Sequence, residues 1–88
     1  MNLLKTRDYR KSSASLSGTI RRLLARQEKI LAEDFFDPRL HTKKLKGLRG
    51  DIIFSFRITR NYRGLFLLRE KGIVLFMIGD RKDIYRSF

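Results

Sequence analysis

The 88-residue sequence contains no cysteine and only one histidine. The lack of cysteine excludes a disulfide framework and a thiolate metal site, and the single His41 excludes a site built from several histidines. The first residues lack the apolar core of a signal peptide. The longest apolar run, residues 73–78, is far too short to span a bilayer. We therefore expect a cytoplasmic protein with no metal, no cofactor and no membrane partner.

Acidic residues are also scarce, with nine Asp and Glu against 21 Lys and Arg, for a net charge of +12. The excess is concentrated in residues 1–27, with a net +6, and in residues 39–69, with a net +8. A field of this sign favours nucleic acid, an acidic protein or an anionic membrane surface as partner. The alternative is a basic surface that only keeps the protein soluble.

The apolar content of 42% is ordinary for a globular protein, so disorder is not expected despite 34% charged residues. A chain of this length can bury one modest core. We therefore predict a single domain that covers residues 1–88.

The first part of the chain predicts a strand followed by a helix. Residues 3–10 alternate weakly, as in a short strand, and residues 11–15 offer several helix N-caps. Apolar residues then recur at steps of three and four and end before Pro38, which indicates a helix with one buried face. That face comprises Leu16, Ile20, Leu23, Leu24, Gln27, Ile30, Leu31 and Phe35. Gly18 could split this helix in two. Because a sheet follows, packing on the core is favoured over binding to a membrane.

Three strands are predicted at residues 51–59, 62–69 and 72–78, joined by connections short enough for hairpins. In the first strand Phe54, Phe56 and Ile58 share one face, while Ser55 and Arg57 lie on the other. The second and third strands are apolar on both faces, as central strands are. The pattern predicts an α+β domain with an antiparallel, twisted sheet and helices on one face. The opposite face must be covered by chain termini, by another copy or by a partner.

Three basic groups could carry chemistry. Arginine can bind a phosphate through two hydrogen bonds, and an unstacked RNA base can stack on an aromatic side chain that lies beside cations. The groups are a loop with Lys43, Lys44, Lys46 and Arg49, the strand residues Arg57 and Arg63, and a tail with Arg81 and Tyr85. None of them is specific alone. Together they indicate a small basic domain that binds an anionic polymer.

The order of several short motifs adds to this interpretation. The motifs are Asp37-Pro38-Arg39-Leu40 leading into Lys44-Leu45-Lys46-Gly47-Leu48, then Phe54-Ser55-Phe56-Arg57-Ile58-Thr59 followed by Asn61-Tyr62-Arg63, and Ile78-Gly79 with Tyr85 six residues after the glycine. In this order and spacing, residues 37–85 resemble the RelE/ParE superfamily of type II toxin–antitoxin toxins. The closest resemblance is to the RelE/YoeB-like mRNA interferases.

This resemblance implies a β-α-α-β-β-β fold, a tight complex with an acidic antitoxin and ribosome-dependent cleavage of mRNA. Cleavage would proceed by attack of the RNA 2′-hydroxyl, without a metal. Arg63, Arg81 and Tyr85 match catalytic positions of the family. The resemblance assigns RNA binding to Lys43, Lys44, Lys46, Arg49 and Arg57. The apolar outer face of the sheet, with the basic groove, would receive the antitoxin, and a dimer or a hetero-oligomer is possible.

One departure concerns proton transfer. Many relatives have histidine directly after the last glycine, where this chain has Asp80, and His41 lies in a different loop. Proton transfer would then fall to Tyr85, Arg81 or a lysine. Two alternatives stay open: a ParE-like inhibitor of DNA gyrase without nuclease activity, and a non-toxic basic RNA-binding module. At the level of residues, the alternative is that Arg63 pairs with Asp51 or Asp80 while Tyr85 only packs.

Overall fold

The fold is a five-stranded sheet between two layers of helix. The computed structural model describes residues 1–45 and 51–87. In chain order the elements are β1 (Leu3–Lys5), α1 (Arg7–Ser15), α2 (Gly18–Glu33), a short 3-10 helix (Pro38–Leu40), β2 (Lys43–Leu45), β3 (Ile53–Arg57), β4 (Tyr62–Arg69), β5 (Gly72–Asp80) and α3 (Arg81–Ser87). The predicted α+β class is confirmed. No helix in the described ranges has the length and apolarity needed to cross a membrane.

The sheet is mixed, whereas the sequence predicted an antiparallel one. Its strand order is β1-β5-β4-β3-β2. Strands β2 to β5 are antiparallel to their neighbours, but β1 lies parallel to β5, with Leu3 opposite Ile73. Parallel pairing needs a long crossover connection, which α1, α2 and the following strands provide. Local sequence patterns do not reveal a pairing between residues 70 positions apart.

The predicted strand over residues 3–10 is wrong beyond Lys5. Thr6 caps a helix there, because its side-chain oxygen accepts a hydrogen bond from the Tyr9 backbone N–H at 3.2 Å. The apolar alternation arose because Leu3 and Tyr9 both face the core from different elements. The predicted split of the long helix at Gly18 is wrong: α2 runs unbroken from Gly18 with Ser17 as its cap, and α1 ends at Ser15, in residues where the sequence predicted a strand and a polar break.

Two apolar clusters lie on opposite faces of the sheet. The larger joins α1 and α2 to the sheet and contains Tyr9, Leu24, Ile30, Leu31, Leu40, Phe54, Phe56, Ile58, Phe66, Ile73 and Leu75. The smaller contains Leu45, Ile53, Leu65 and Ile84, with Phe76 and Tyr85 packed against it. Since Ile84 and Tyr85 belong to α3, the C-terminal helix covers part of the outer face. The prediction of helices on one face only therefore needs this correction.

A buried polar network fixes α1 to α2. The Tyr9 hydroxyl donates to Glu28 Oε2 at 2.8 Å, and Lys5 Nζ donates to Glu28 Oε1 at 3.1 Å. Burial, with help from the Glu28 charge and hydrogen bond, raises the pKa of Tyr9 far above its ordinary value. The phenol therefore stays a donor across the physiological range, and Glu28 keeps both of its partners.

We expect Tyr9→Phe to lower the free energy of unfolding by about 1.5–3 kcal/mol, the usual value of a hydrogen bond to a charged group. The reason is that Glu28, with a side chain only 12% exposed, loses one of its two donors. Urea denaturation measures the change. Tyr62→Phe is the matched control, because the Tyr62 hydroxyl makes no hydrogen bond within residues 1–45 and 51–87. Equal effects of the two substitutions would contradict this account.

Candidate active site

A basic cleft of about 440 Å³ opens beside α3 on the outer face of the sheet. We call it the tyrosine cleft. It is lined by His41, Lys43, Arg57, Arg60, Arg63, Arg81 and Tyr85. All these residues are basic except the tyrosine, and no carboxylate is among them. Such a lining suits a polyanion.

The strand register brings two arginines of this cleft side by side. Arg57 near the end of β3 lies directly opposite Arg63 near the start of β4, and Gly79 on β5 faces Arg63 from the other side. Helix α3 begins at Arg81, two residues further on. Like charges opposite each other destabilise a sheet. An anion bound between them would remove that repulsion, so the arrangement favours a phosphate.

The backbone holds Arg63 in place. Its side chain is 8% exposed, and Nη1 donates to the carbonyl oxygens of Thr59 at 2.6 Å, Arg60 at 3.1 Å and Tyr62 at 3.1 Å. Within the described residues Arg63 forms no ion pair, and Asp51 pairs instead with Arg69 at 3.3 Å. The alternative in which Arg63 pairs with Asp51 or Asp80 is therefore wrong. A preorganised guanidinium is what stabilisation of a developing charge requires.

Tyr85 lies where several groups favour its phenolate. Its hydroxyl is 3.5 Å from Ser55 Oγ, and Lys43 Nζ is 5.0 Å from the ring centroid. Partial burial raises the pKa of Tyr85, but hydrogen bonding to Ser55 and Arg63 and the charges of Arg63 and Lys43 outweigh burial and lower it below the ordinary value. The site therefore gives Tyr85 a larger phenolate fraction at a given pH than a free tyrosine has, which makes it more available as a general base.

We expect the pKa of Tyr85 to move back up in Ser55→Ala and in Lys43→Ala. The pKa of Tyr85 is lower in the folded protein than in the unfolded chain, where it is about 10. Ionisation of Tyr85 therefore stabilises the folded state in full at pH values above that unfolded pKa. That contribution is lost as the pH falls through the lower folded value. Ultraviolet difference titration against Tyr85→Phe isolates the signal of this phenol. A titration that is the same in all the variants would show that the neighbours do not act on it.

The structure brings most of the predicted site residues together. Lys43, Arg57, Arg63, Arg81 and Tyr85 line one cleft. Lys44 is exposed on β2 and is not part of its lining. The predicted RNA-binding residues Lys46 and Arg49 lie outside the described residues.

Sequence reasoning missed His41, Arg60 and Ser55. His41 follows the short 3-10 helix in a left-handed conformation, with φ of 49°, and lines the cleft together with Lys43. Because His41 lies in a different loop from Asp80, the sequence pattern did not indicate a part for it in proton transfer. No local signal marked it: His41 precedes β2 and is not extended, so strand alternation does not relate its side chain to that of Lys43.

No protein-family model matches the sequence, and no curated protein matches it. Solved structures do match. A chain of the archaeal RelE-RelB complex from Pyrococcus horikoshii OT3 has a TM-score of 0.69 at 19% identity, over 91% of this chain and 93% of that one. A chain of the RelB-RelE antitoxin-toxin complex from Methanococcus jannaschii has a TM-score of 0.73 at 22% identity, over 97% of this chain and 98% of that one. The YoeB/ParE toxin from Agrobacterium tumefaciens has a TM-score of 0.76 at 15% identity, over 92% of this chain and 99% of that one. The chain therefore has the fold of the RelE/ParE toxins, as the order of its motifs predicted.

Proposed function

We propose that the chain is the toxin of a toxin–antitoxin pair and that it cleaves mRNA on the ribosome in the cytoplasm. The observation that carries the proposal is the Tyr85 hydroxyl, whose pKa is lowered, in a cleft lined otherwise by basic side chains. RNA brings its own nucleophile, the 2′-hydroxyl. The protein then needs to supply a base, cations for the phosphate and a proton for the leaving oxygen. The likeness to RelE and YoeB structures supports the same assignment.

The chemistry follows from the lining of the cleft. The Tyr85 phenolate takes the proton of the 2′-hydroxyl, and the 2′-oxygen forms a bond to phosphorus. The bond from phosphorus to the 5′-oxygen breaks, and that oxygen takes a proton from the His41 imidazolium. His41 fits this step because it lines the same cleft as Tyr85 and an imidazolium has an N–H to donate. The products are a 2′,3′-cyclic phosphate and a 5′-hydroxyl end, while Arg63 and Arg81 stabilise the negative charge on the phosphate.

The ribosome has a separate task in this proposal. The tyrosine cleft offers charge, which every RNA phosphate satisfies equally, so binding of free RNA is expected to be weak and unselective. Holding the mRNA with its 2′-oxygen aligned to the phosphorus is worth several powers of ten in rate. We therefore expect efficient cleavage only on ribosome-bound mRNA.

The partner that we propose is an acidic antitoxin, docked over the tyrosine cleft and the adjoining outer face. Since α3 already covers part of that face, the antitoxin would bury what remains exposed there, including Met77, which is 39% exposed. An acidic segment that folds on binding would also neutralise the arginines of the cleft. Calorimetric titration with the product of the adjacent gene tests this. Salt-sensitive binding that weakens in Arg57→Ala supports the proposal, and absence of binding contradicts it.

The nuclease proposal is tested by primer extension on mRNA after induced expression. Discrete cuts within reading frames, absent in a Tyr85→Phe culture, are the expected result. Intact mRNA together with trapped gyrase–DNA cleavage complexes would favour the ParE-like alternative. Intact mRNA with no trapped gyrase complexes and normal growth would favour the remaining alternative, a non-toxic basic RNA-binding module.

A further inference from the structure

A second cleft continues from the tyrosine cleft towards α2. It measures about 280 Å³ and is lined by Leu23, Arg26, Gln27, Arg39, His41, Arg57 and Ile58. We call it the glutamine cleft. The two clefts share His41 and Arg57, so a single extended ligand can occupy both. The mechanism proposed above uses only the first.

Gln27 is the unusual feature of this cleft, because a polar side chain that is only 8% exposed lies among its lining. Its Nε2 donates to the carbonyl oxygen of Arg39 at 3.0 Å and to that of Arg57 at 2.8 Å. Both neighbours are acceptors, so the amide can face them only with its NH₂ group. The orientation of Oε1 is thereby fixed on the opposite side.

Oε1 of Gln27 accepts no hydrogen bond from the described residues. No buried side-chain polar atom in those residues lacks a partner. An acceptor without a partner must therefore reach solvent, and the cleft that Gln27 lines provides the opening. The cleft thus presents an acceptor held rigidly by two backbone hydrogen bonds.

The other walls determine which ligand fits. Leu23, 36% exposed, supplies apolar surface. Arg39 donates two side-chain hydrogen bonds to Asp37, of 3.0 and 2.9 Å, and the carboxylate offsets its positive charge. Arg26, by contrast, has no ion pair within the described residues. A bare phosphate has no hydrogen to offer Oε1. A nucleobase combines an apolar ring face with N–H donors at its edge, and the small volume suits one base, since sites for larger ligands usually exceed about 300 Å³.

We propose that the glutamine cleft binds the nucleobase of the nucleotide next to the scissile phosphate. Gln27 Oε1 accepts a hydrogen bond from a base N–H, Leu23 packs against the ring, and the Arg26 guanidinium lies over or beside it. This inference rests on the proposed function, because the shared wall of His41 and Arg57 places the neighbouring phosphate in the tyrosine cleft.

The first test follows individual side chains by NMR in ¹⁵N-labelled Tyr85→Phe protein, which does not cleave its ligand. The probes are a 2′-O-methyl dinucleotide and the same molecule with one base removed. We expect the Gln27 side-chain amide to shift only with the complete dinucleotide, and the Arg63 guanidinium to shift with both. Arg63 shifts without a base-dependent Gln27 shift would overturn the subsite and leave the proposed function standing. No shift at either residue at a dinucleotide concentration of about 10 mM, well above the weak non-specific binding expected of free RNA, would contradict both.

The second test compares two arginines of α2. Arg26 lines the glutamine cleft, whereas Arg21, also exposed, lines neither cleft. Both alanine variants lose one positive charge, so both weaken the general attraction to RNA equally. We expect Arg26→Ala to weaken binding of the complete dinucleotide about tenfold more than Arg21→Ala, in the range of a lost base contact. The two should act alike on the dinucleotide with the base removed. Equal losses on the complete dinucleotide would overturn the proposal.

Discussion

Replacing Tyr85 with phenylalanine is expected to slow cleavage of ribosome-bound mRNA by about a hundredfold or more. The substitution removes the phenol that takes the 2′-hydroxyl proton. The ring stays packed on the cluster that contains Leu45 and Ile53. Within the described residues the substitution removes the contact of the hydroxyl with Arg63 and its 3.5 Å hydrogen bond with Ser55. The fold should therefore be unchanged. Single-turnover cleavage on programmed ribosomes measures the rate, and thermal denaturation checks the fold.

Tyr62→Phe is the control, since it removes a phenol from β4 that is not among the residues lining the tyrosine cleft. It should cleave at the wild-type rate. A well-folded Tyr85→Phe protein that cleaves as fast as Tyr62→Phe would remove Tyr85 from the mechanism.

Arg63 and Arg81 are not equivalent as test positions. Arg63→Ala removes hydrogen bonds to two carbonyl oxygens between β3 and β4 and to that of Tyr62 at the start of β4, so we expect it to lower stability as well as activity. Arg81 is exposed and lines the cleft at the start of α3. Arg81→Ala should therefore lower the cleavage rate while its thermal denaturation stays that of the wild type. An Arg81→Ala protein with the wild-type rate would exclude this side chain from the reaction.

Gly64→Ala is expected to lower the free energy of unfolding by about 1–3 kcal/mol, the usual range for overpacking a core. A Cβ at this position would overlap the ring of Phe56, which lies on the neighbouring strand directly over the glycine. Phe56 is completely buried, so its ring has little room to move away. Urea denaturation measures the loss.

A double-mutant cycle separates this steric cause from a general cost of side chains in strands. Phe56→Ala alone should cost about 3–5 kcal/mol, and adding Gly64→Ala to it should cost much less than Gly64→Ala costs in the wild type. Gly18→Ala, in α2, shows the effect of a methyl group added where there is room, because a Cβ there meets nothing closer than 3.9 Å. Additive losses at positions 56 and 64 would show that the ring overlap is not the cause.

The sequence predicted best where a pattern is local. Alternation over residues 51–59 predicted that Phe54, Phe56 and Ile58 share one face and that Ser55 and Arg57 share the other. The structure confirms both faces, the first in the larger cluster and the second through the Ser55–Tyr85 contact and the tyrosine cleft. The period of α2 predicted its buried residues Leu24, Gln27, Ile30 and Leu31 in the same way, but Leu23, predicted on the same face, is 36% exposed. In both cases the repeat of the backbone fixes which side chains share a surface.

Prediction was weaker where distant segments meet. Pairing of β1 with β5, and the reach of His41 into the tyrosine cleft, depend on tertiary placement that no short window carries. Gln27 shows the same limit: its spacing predicted a helix face towards the core, but its role depends on the carbonyl oxygens of Arg39 and Arg57. The local patterns did not predict that Arg63, Arg81 and Tyr85 share one site, and only the family resemblance assigned them to it.

The central claim is that the tyrosine cleft directs the 2′-hydroxyl of ribosome-bound mRNA against its own phosphate. The most direct measurement uses purified protein and ribosomes programmed with one mRNA, in two versions that differ by a single 2′-deoxy nucleotide at the mapped cut. We expect the all-ribose mRNA to be cut there, leaving a 2′,3′-cyclic phosphate and a 5′-hydroxyl, and the 2′-deoxy version to stay intact at that position. Cleavage of both versions at the same rate, or of neither, would contradict the account.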